Sequence, residues 1–284
     1  MSNAPFYIQV GMSPAMYHQR NQHYSNKSID KQPAGLNFYE QSWNVKQTGT
    51  VYLDHGKYSV TIPYVLSSVG TEDVDYSDRG IYDFSVNSGL NADEFISHDQ
   101  ARLLFFERLK KILELGWQFY IPLYEPRLLG QQSFLFAVED SVYGPDPRYL
   151  PSLDEWMQLG SGHRWVFFAE DVFLTVGFRR KSQFMDAGGE GVYLLNYTIV
   201  SKNAHARDSF TGDDREQWQD LWVEKSKKRL LKRYQKEAEL IKKRGYHIFT
   251  DYQDAKIHPD DPVEPDNAQE YLDFIRQNNP GYTE

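Results

Sequence analysis

The chain has 284 residues, of which 40% are hydrophobic and 15% aromatic, with a net charge of −9 and no cysteine. This length suits one large domain or two of ordinary size, and the hydrophobic content excludes wholesale disorder. The negative charge argues against general nucleic-acid binding, because phosphates would repel such a surface. The lack of cysteine excludes disulfides, thiolate catalysis and cysteine–zinc sites.

The N-terminal residues contain no basic segment followed by an apolar run, which is the pattern of a signal peptide. No window approaches the roughly 18 consecutive apolar residues of a membrane span. We therefore expect a cytoplasmic protein that makes no contact with a membrane.

The first half of the chain predicts a ββ-β-α-β unit. Residues 50–63 alternate as a hairpin around His55-Gly56, and residues 80–87 form a third strand. Ser97 and Gln100 make a capping box that opens a helix ending at Leu115. Gly116 stops this helix, and residues 117–121 have the composition of a fourth strand.

The second half repeats the order of these elements. A hairpin at 165–178 turns at Glu170-Asp171 and is followed by a strand at 191–200, a helix at 214–244 and a strand at 247–249. We therefore predict an α+β fold of two tandem ββ-β-α-β units, in which antiparallel sheets are each packed by a helix and the second helix is longer. The turn-rich residues 143–147 place the boundary between an N-terminal unit, 1–142, and a C-terminal unit, 143–284.

No catalytic motif is present in the sequence. Gly188-Gly189-Glu190-Gly191 is followed by a strand, whereas a phosphate cradle needs a helix there. His258 lies near Asp251 and Asp254, but the spacing matches neither zinc-protease nor EF-hand ligands, and a solvated acidic loop is the favoured interpretation. We expect no catalytic residues, no metal site and no cofactor.

Charge patterning is more informative than motifs. Between residues 70 and 99 eight acidic residues accompany a single basic residue, Arg79. Such a loop can steer a basic partner, although a merely solvated loop is the alternative. The predicted partner-binding residues are Glu72, Asp73, Asp75, Tyr76 and Asp78.

The long helix has the opposite bias, with ten Lys or Arg and three acids in residues 224–244. A nucleic-acid-binding helix is one interpretation. The favoured one is a solvated outer face that pairs with the acidic tail, because residues 251–284 hold nine acids and only two basic residues.

Two stretches and two junctions carry a family resemblance: WVFFAEDVFLTVGFRR at 165–180, NADEFISHDQARLLFFERL at 91–109, and the junctions Gly116-Trp117 and Gly245-Tyr246. They resemble immunity proteins encoded beside bacterial polymorphic or type VI secretion toxins, of the immunity-protein-52 type. The resemblance implies a non-enzymatic protein that binds and occludes a cognate effector toxin, often a nuclease, inside the producing cell.

Two other classes of function remain open from the sequence. One is an enzyme whose site is assembled from distant residues, which a pocket holding carboxyl or histidine side chains with shifted pKa values would favour. The other is an adaptor that uses the basic helix 224–244 on nucleic acid, with a steep salt dependence of binding as its signature.

Overall fold

A computed structural model describes residues 4–25, 27–181, 183, 186–265 and 267–279. The strands in these ranges are β1 (Phe6–Ile8), β2 (Ser28–Lys31), β3 (Leu36–Ser42), β4 (Gly49–Leu53), β5 (Val60–Asp73), β6 (Ile81–Gly89), β7 (Ile96–Ser97), β8 (Gln118–Phe119), β9 (Arg164–Ala169), β10 (Val172–Arg180), β11 (Glu190–Gly191) and β12 (Tyr193–Ser201). The helices are α1 (Pro14–Arg20), α2 (His98–Glu114), α3 (Gly130–Asp140), α4 (Leu153–Gln158), α5 (Lys202–Arg207), α6 (Trp218–Arg244) and α7 (Gln269–Asn278). Short 3-10 turns at Gly56–Tyr58, Val74–Arg79 and Gly212–Arg215 complete the set.

Ten of the strands form one sheet. Its main order is β1-β4-β5-β6-β12-β10-β9-β8, and β3 pairs with β5 while β2 pairs with β3. All pairs are antiparallel except β1 with β4. Strands β7 and β11 make a separate two-stranded ladder. The α+β class predicted from the sequence is therefore confirmed.

Local sequence signals account for several element ends. The Ser97 hydroxyl accepts a hydrogen bond from the Gln100 amide at 3.2 Å and caps α2, while Ser152 and Glu155 form a complete capping box on α4. Gly245 ends α6 in the left-handed conformation, as its position after a basic last turn indicates.

The two faces of the sheet are covered differently. Alternate residues of a strand point to opposite faces, and on one face Trp165 and Phe178 pack against Phe105 of α2, with ring centroids 4.8 and 5.3 Å apart. We call this the covered face. On the other face, Phe173 and Val200 pack with α5 and α6.

That second face is covered at one end only. Of the remaining residues that point from it, Phe38, Val69 and Leu194 are apolar, and many others are small or polar and half-buried: Ser67, Thr71, Ser85, Asn87, Thr175, Asn196 and Thr198. We call this part the open face. Several of these side chains join into a ladder, because Asn87 donates to Ser67 at 3.1 Å and Asn196 donates to Asn87 at 3.2 Å.

The arrangement departs from the sequence prediction in several respects. The two units do not have separate sheets, because β6 and β12 pair across them along seven residues each. The strand triplets β4-β5-β6 and β9-β10-β12 occupy mirrored positions in the strand order, but α2 and α6 lie on opposite faces. Residues 247–249 were predicted as a strand and form none. The hairpin of β2 and β3 was not predicted at all.

None of the helices in the described ranges combines the length and apolar character needed to cross a membrane. Trp218 and Trp222 of α6 are both buried.

Candidate functional site

The acidic loop predicted to bind a partner is tied to the other half of the chain. It forms the 3-10 turn Val74–Arg79, whose Tyr76 hydroxyl donates to the Glu216 carboxylate at 2.6 Å. The guanidinium of Arg79 lies over the Tyr76 ring, 3.7 Å from its centroid, and that of Arg207 lies 5.3 Å from it. Contacts with residues far along the chain, Glu216 and Arg207, therefore hold the loop in place, and they form only when the chain is folded.

The five predicted partner-binding residues do not share one environment. Asp75 and Asp78 are exposed, and Asp73 is half-buried at the start of the turn, where it accepts from the Asp75 amide. Glu72 is buried on the covered side of β5, where it accepts from the Tyr39 hydroxyl at 2.6 Å and the Asn37 amide at 3.0 Å.

Glu72 is thus a structural hydrogen-bond acceptor, and we drop it from the contact set. The reason is that β5 extends to Asp73, so the strand period and not the charge run decides where Glu72 points.

The second half contributes acids to the same region. Asp213 and Asp214 are exposed in the 3-10 turn that leads to Glu216. The nearby arginines are engaged, since Arg207 pairs with Glu216 and Arg215 pairs with Asp208. We define the acidic surface as seven residues: Asp73, Asp75, Asp78, Asp208, Asp213, Asp214 and Glu216. Lys225 also lies near Asp214, so seven carboxylates against the arginines 79, 207 and 215 and this lysine leave a net charge of −3.

A polar groove lies beside this surface, on the open face of the sheet. Its volume is about 500 Å³, and its floor comes from β6, β12, β10 and β9. The register of the strands places acidic and basic residues at opposite ends of the groove. Asp83 is level with Val200 and Phe173, whereas Arg164 is level with Gly177. Four residues of strand separate the two levels, which corresponds to about 13 Å.

Asp83 forms the acid end of the groove. Within the described ranges no group donates a hydrogen bond to its half-buried carboxylate, and no cation pairs with it. Burial, together with the nearby Asp208 carboxylate, raises the pKa of Asp83 to about 6. The carboxylate is therefore charged at neutral pH without a partner, which is an energetically unfavourable state.

His205 lines the same end. Its ring stacks on Phe173 at a centroid distance of 3.9 Å, and neither ring nitrogen has a hydrogen-bond partner among the residues described. Burial, helped by the positive charge of Arg229, lowers the pKa of His205 to about 4. The imidazole is therefore neutral at neutral pH and offers one acceptor nitrogen.

Sequence reasoning missed the groove. Asp83 was counted in the acidic run between residues 70 and 99, and no motif in the sequence marks His205. The alternation of Asp83, Phe84, Ser85 and Val86 signals a carboxylate on the face opposite the core. No local signal, however, could reveal that helices leave that face open.

The basic helix α6 uses many of its cations inside the protein. The guanidinium of Arg233 is buried, pairs with both carboxylate oxygens of Asp254 at 2.7 and 2.9 Å, and donates to backbone carbonyls. Arg127 makes a two-pronged pair with the buried Glu237 of the same helix. Of these cations, Arg233 pairs with the acidic tail, through Asp254. Lys236 pairs instead with Glu125, and Arg244 pairs with Glu139.

Asp261, which lies near His258 in the acidic tail, has a structural role. Asp261 accepts from the amides of Ile257 and His258, at 2.6 and 2.9 Å, and from the Trp222 indole. Asp254 is committed to Arg233. These contacts hold the tail against α6.

The turns of the two hairpins meet in space and could hold a cation. Ligand atoms of His55, Glu170 and Asp171 lie within 4.8 Å of one another. His55 Nε2 lies 3.0 Å from the Ala169 carbonyl oxygen, which leaves Nδ1 as the ring's available ligand atom. Both carboxylates are exposed, so a divalent ion here would keep much of its water and bind weakly.

Comparisons with protein-family models, with curated proteins and with solved structures found no match.

Proposed function

We propose that this chain is a non-enzymatic immunity protein that binds a basic effector toxin through the acidic surface and occludes it in the cytoplasm. The observation that carries the proposal is the hydrogen bond between Tyr76 and Glu216, which joins acids from both halves into one surface. The resemblance to toxin-immunity proteins supplies the biological class, and a nuclease is the first toxin to test.

The physical basis is charge complementarity with little ordering cost. A surface with a net charge of −3 attracts a basic partner over roughly a Debye length, which is about 8 Å at physiological salt. Because the acidic loop is already fixed by Tyr76, less conformational entropy is lost on binding. A nuclease cleft that receives phosphates is basic, so acids placed over it would block the substrate.

The experiment first determines whether a toxin domain is encoded beside the gene, and then co-expresses that domain with this chain. The wild-type chain should protect cells, and the triple variant Asp73→Lys, Asp75→Lys and Asp78→Lys should lose protection. A matched control reverses three exposed acids elsewhere, Glu107, Glu114 and Glu270, and should still protect. Equal loss in both variants, or toxicity unchanged by the wild-type chain, would refute the proposal.

An enzyme is the second candidate, because the groove holds a carboxyl and a histidine with shifted pKa values. In the described part of the chain, however, no hydrogen bond joins a nucleophile to a base within the groove. Turnover of a substrate by the wild-type chain, abolished in Asp83→Asn, would favour the enzyme over the binding protein.

A further inference from the structure

We propose that the acid end of the groove binds one arginine or lysine side chain of the partner, with Asp83, Asp208 and His205 as its acceptors. This inference rests on the proposed function and names the chemical group that the partner inserts. Unlike the acidic surface, which attracts any basic protein, the groove selects a single positioned cation.

The chemistry of the three side chains is that of an acceptor site. The Asp83 carboxylate has no donor in the described ranges, and the His205 ring nitrogens have none either. Asp208 shares one oxygen with Arg215 and keeps further lone pairs. A guanidinium presents five N–H donors in one plane, so it can satisfy several of these acceptors together.

The surroundings favour one cation and set its direction. Arg164 and Arg179 are exposed at the far end of the groove, about 13 Å or more from the level of Asp83. A second positive group of the ligand would be repelled there. The floor between the ends carries Thr175, Asn196 and Thr198, which can hydrogen-bond the backbone of an extended segment.

Binding of a cation should change the protonation of Asp83. The charged and titratable groups around this carboxylate are Asp208, Tyr82, Asp73 and Arg207 nearby, Arg229 of α6 beside His205, and Tyr143, His163, His205, Arg164 and Arg179 along the groove. A bound cation favours the carboxylate form, which lowers the pKa of Asp83 below its value of about 6 in the free protein. Affinity should therefore rise between pH 5 and pH 7.

The test uses the full-length chain and the blocked tripeptide acetyl-Gly-Arg-Gly-amide, with the citrulline tripeptide as a neutral control of nearly the same shape. Binding and the carboxyl resonance of Asp83 are followed by NMR. We expect saturable binding of the arginine peptide, a lowered pKa of Asp83, and at least tenfold weaker binding of the citrulline peptide.

Two variants locate the site. Asp83→Asn should weaken binding of the arginine peptide about tenfold, whereas Asp75→Asn, which removes an exposed acid of the acidic surface outside the groove, should change it less than twofold. Equal binding of the citrulline peptide, no binding at Asp83, or equal losses in the two variants would overturn the inference. Such a result would leave the proposed function standing if the wild-type chain still protects against the toxin. Peptide binding without protection would refute the proposed function alone.

Discussion

The covered and open faces of the sheet are built from alternate residues of the same strands, yet they differ in composition and in the interactions that stabilise them. On the covered face, Phe105, Trp165 and Phe178 are fully buried and packed ring against ring. On the open face, Asn87 and Asn196 are half-buried and linked by hydrogen bonds. The first face is held by burial of apolar area and the second by polar groups that still meet solvent.

The difference shows where a binding site can form. On the face of the sheet opposite the covered face, helices α5 and α6 pack only as far as Phe173 and Val200. The groove lies where this packing ends and the open face begins. Asp83 and His205 lie at that boundary. There a side chain is buried enough for its pKa to shift and open enough to meet a ligand.

The largest effect should follow from a cavity in the covered face. Phe105→Ala removes a fully buried ring from between Trp165 and Phe178, and we expect the free energy of unfolding to fall by about 3–5 kcal/mol. The open-face control Asn87→Ala should cost about 1 kcal/mol, because it removes hydrogen bonds that water can replace. Urea unfolding of both variants measures the contrast, and equal losses would contradict the distinction between the faces.

The second-largest loss of stability should follow from breaking the buried ion pair of α6. Glu237→Gln replaces the carboxylate that holds Arg127 in a buried two-pronged pair, and we expect a loss of about 2–3 kcal/mol. The control is Glu239→Gln, whose exposed pair with Lys243 contributes little. If the two substitutions cost the same, the buried pair does not anchor α6 to the loop that contains Arg127.

A smaller effect of opposite sign is expected at the open face. Asp83→Asn removes a half-buried charge that no described residue pairs with, so the free energy of unfolding at pH 7 should rise by about 1–2 kcal/mol. Chemical denaturation at pH 7 measures it. A loss of stability would show that Asp83 has a stabilising partner and would remove it from the proposed site.

The smallest effect is on the pH dependence of stability, to which Asp83 and His205 contribute with opposite signs. The folded pKa of Asp83 is raised from 3.8 to about 6, so the folded state binds more protons and stability falls as pH rises from 4 to 6. The folded pKa of His205 is lowered from 6.5 to about 4, so stability rises as pH goes from 4 to 6.5. The two contributions nearly cancel in the wild-type chain.

Substitution should separate them. Against the wild-type profile, Asp83→Asn should add a rise in stability between pH 4 and 6, and His205→Gln should add a fall between pH 4 and 6.5. Unfolding curves at half-unit pH intervals give both profiles. Identical profiles for the three proteins would mean that neither group is shifted by the fold.

The same comparison explains what the sequence could predict. The hairpin at 165–178 and the cap at Ser97 were predictable because alternation and capping are local signals. The pairing of β6 with β12 was not, because register between distant strands is decided by tertiary packing. The charge run around Glu72 concealed a strand residue whose direction is set by the period of β5. At Asp83 the alternation of residues indicates which way the carboxylate points, but the open groove around it depends on tertiary packing and could not be predicted.

The central claim is that the acidic surface captures a basic partner, and its most direct test is the association rate constant measured against ionic strength. With the toxin domain identified by co-expression as the ligand, the wild-type chain should associate faster as salt falls, and the triple reversal of Asp73, Asp75 and Asp78 should associate more slowly with a flatter salt dependence. The control reversal of Glu107, Glu114 and Glu270 should keep most of the wild-type rate and salt slope. Unchanged kinetics in the triple reversal would contradict the account.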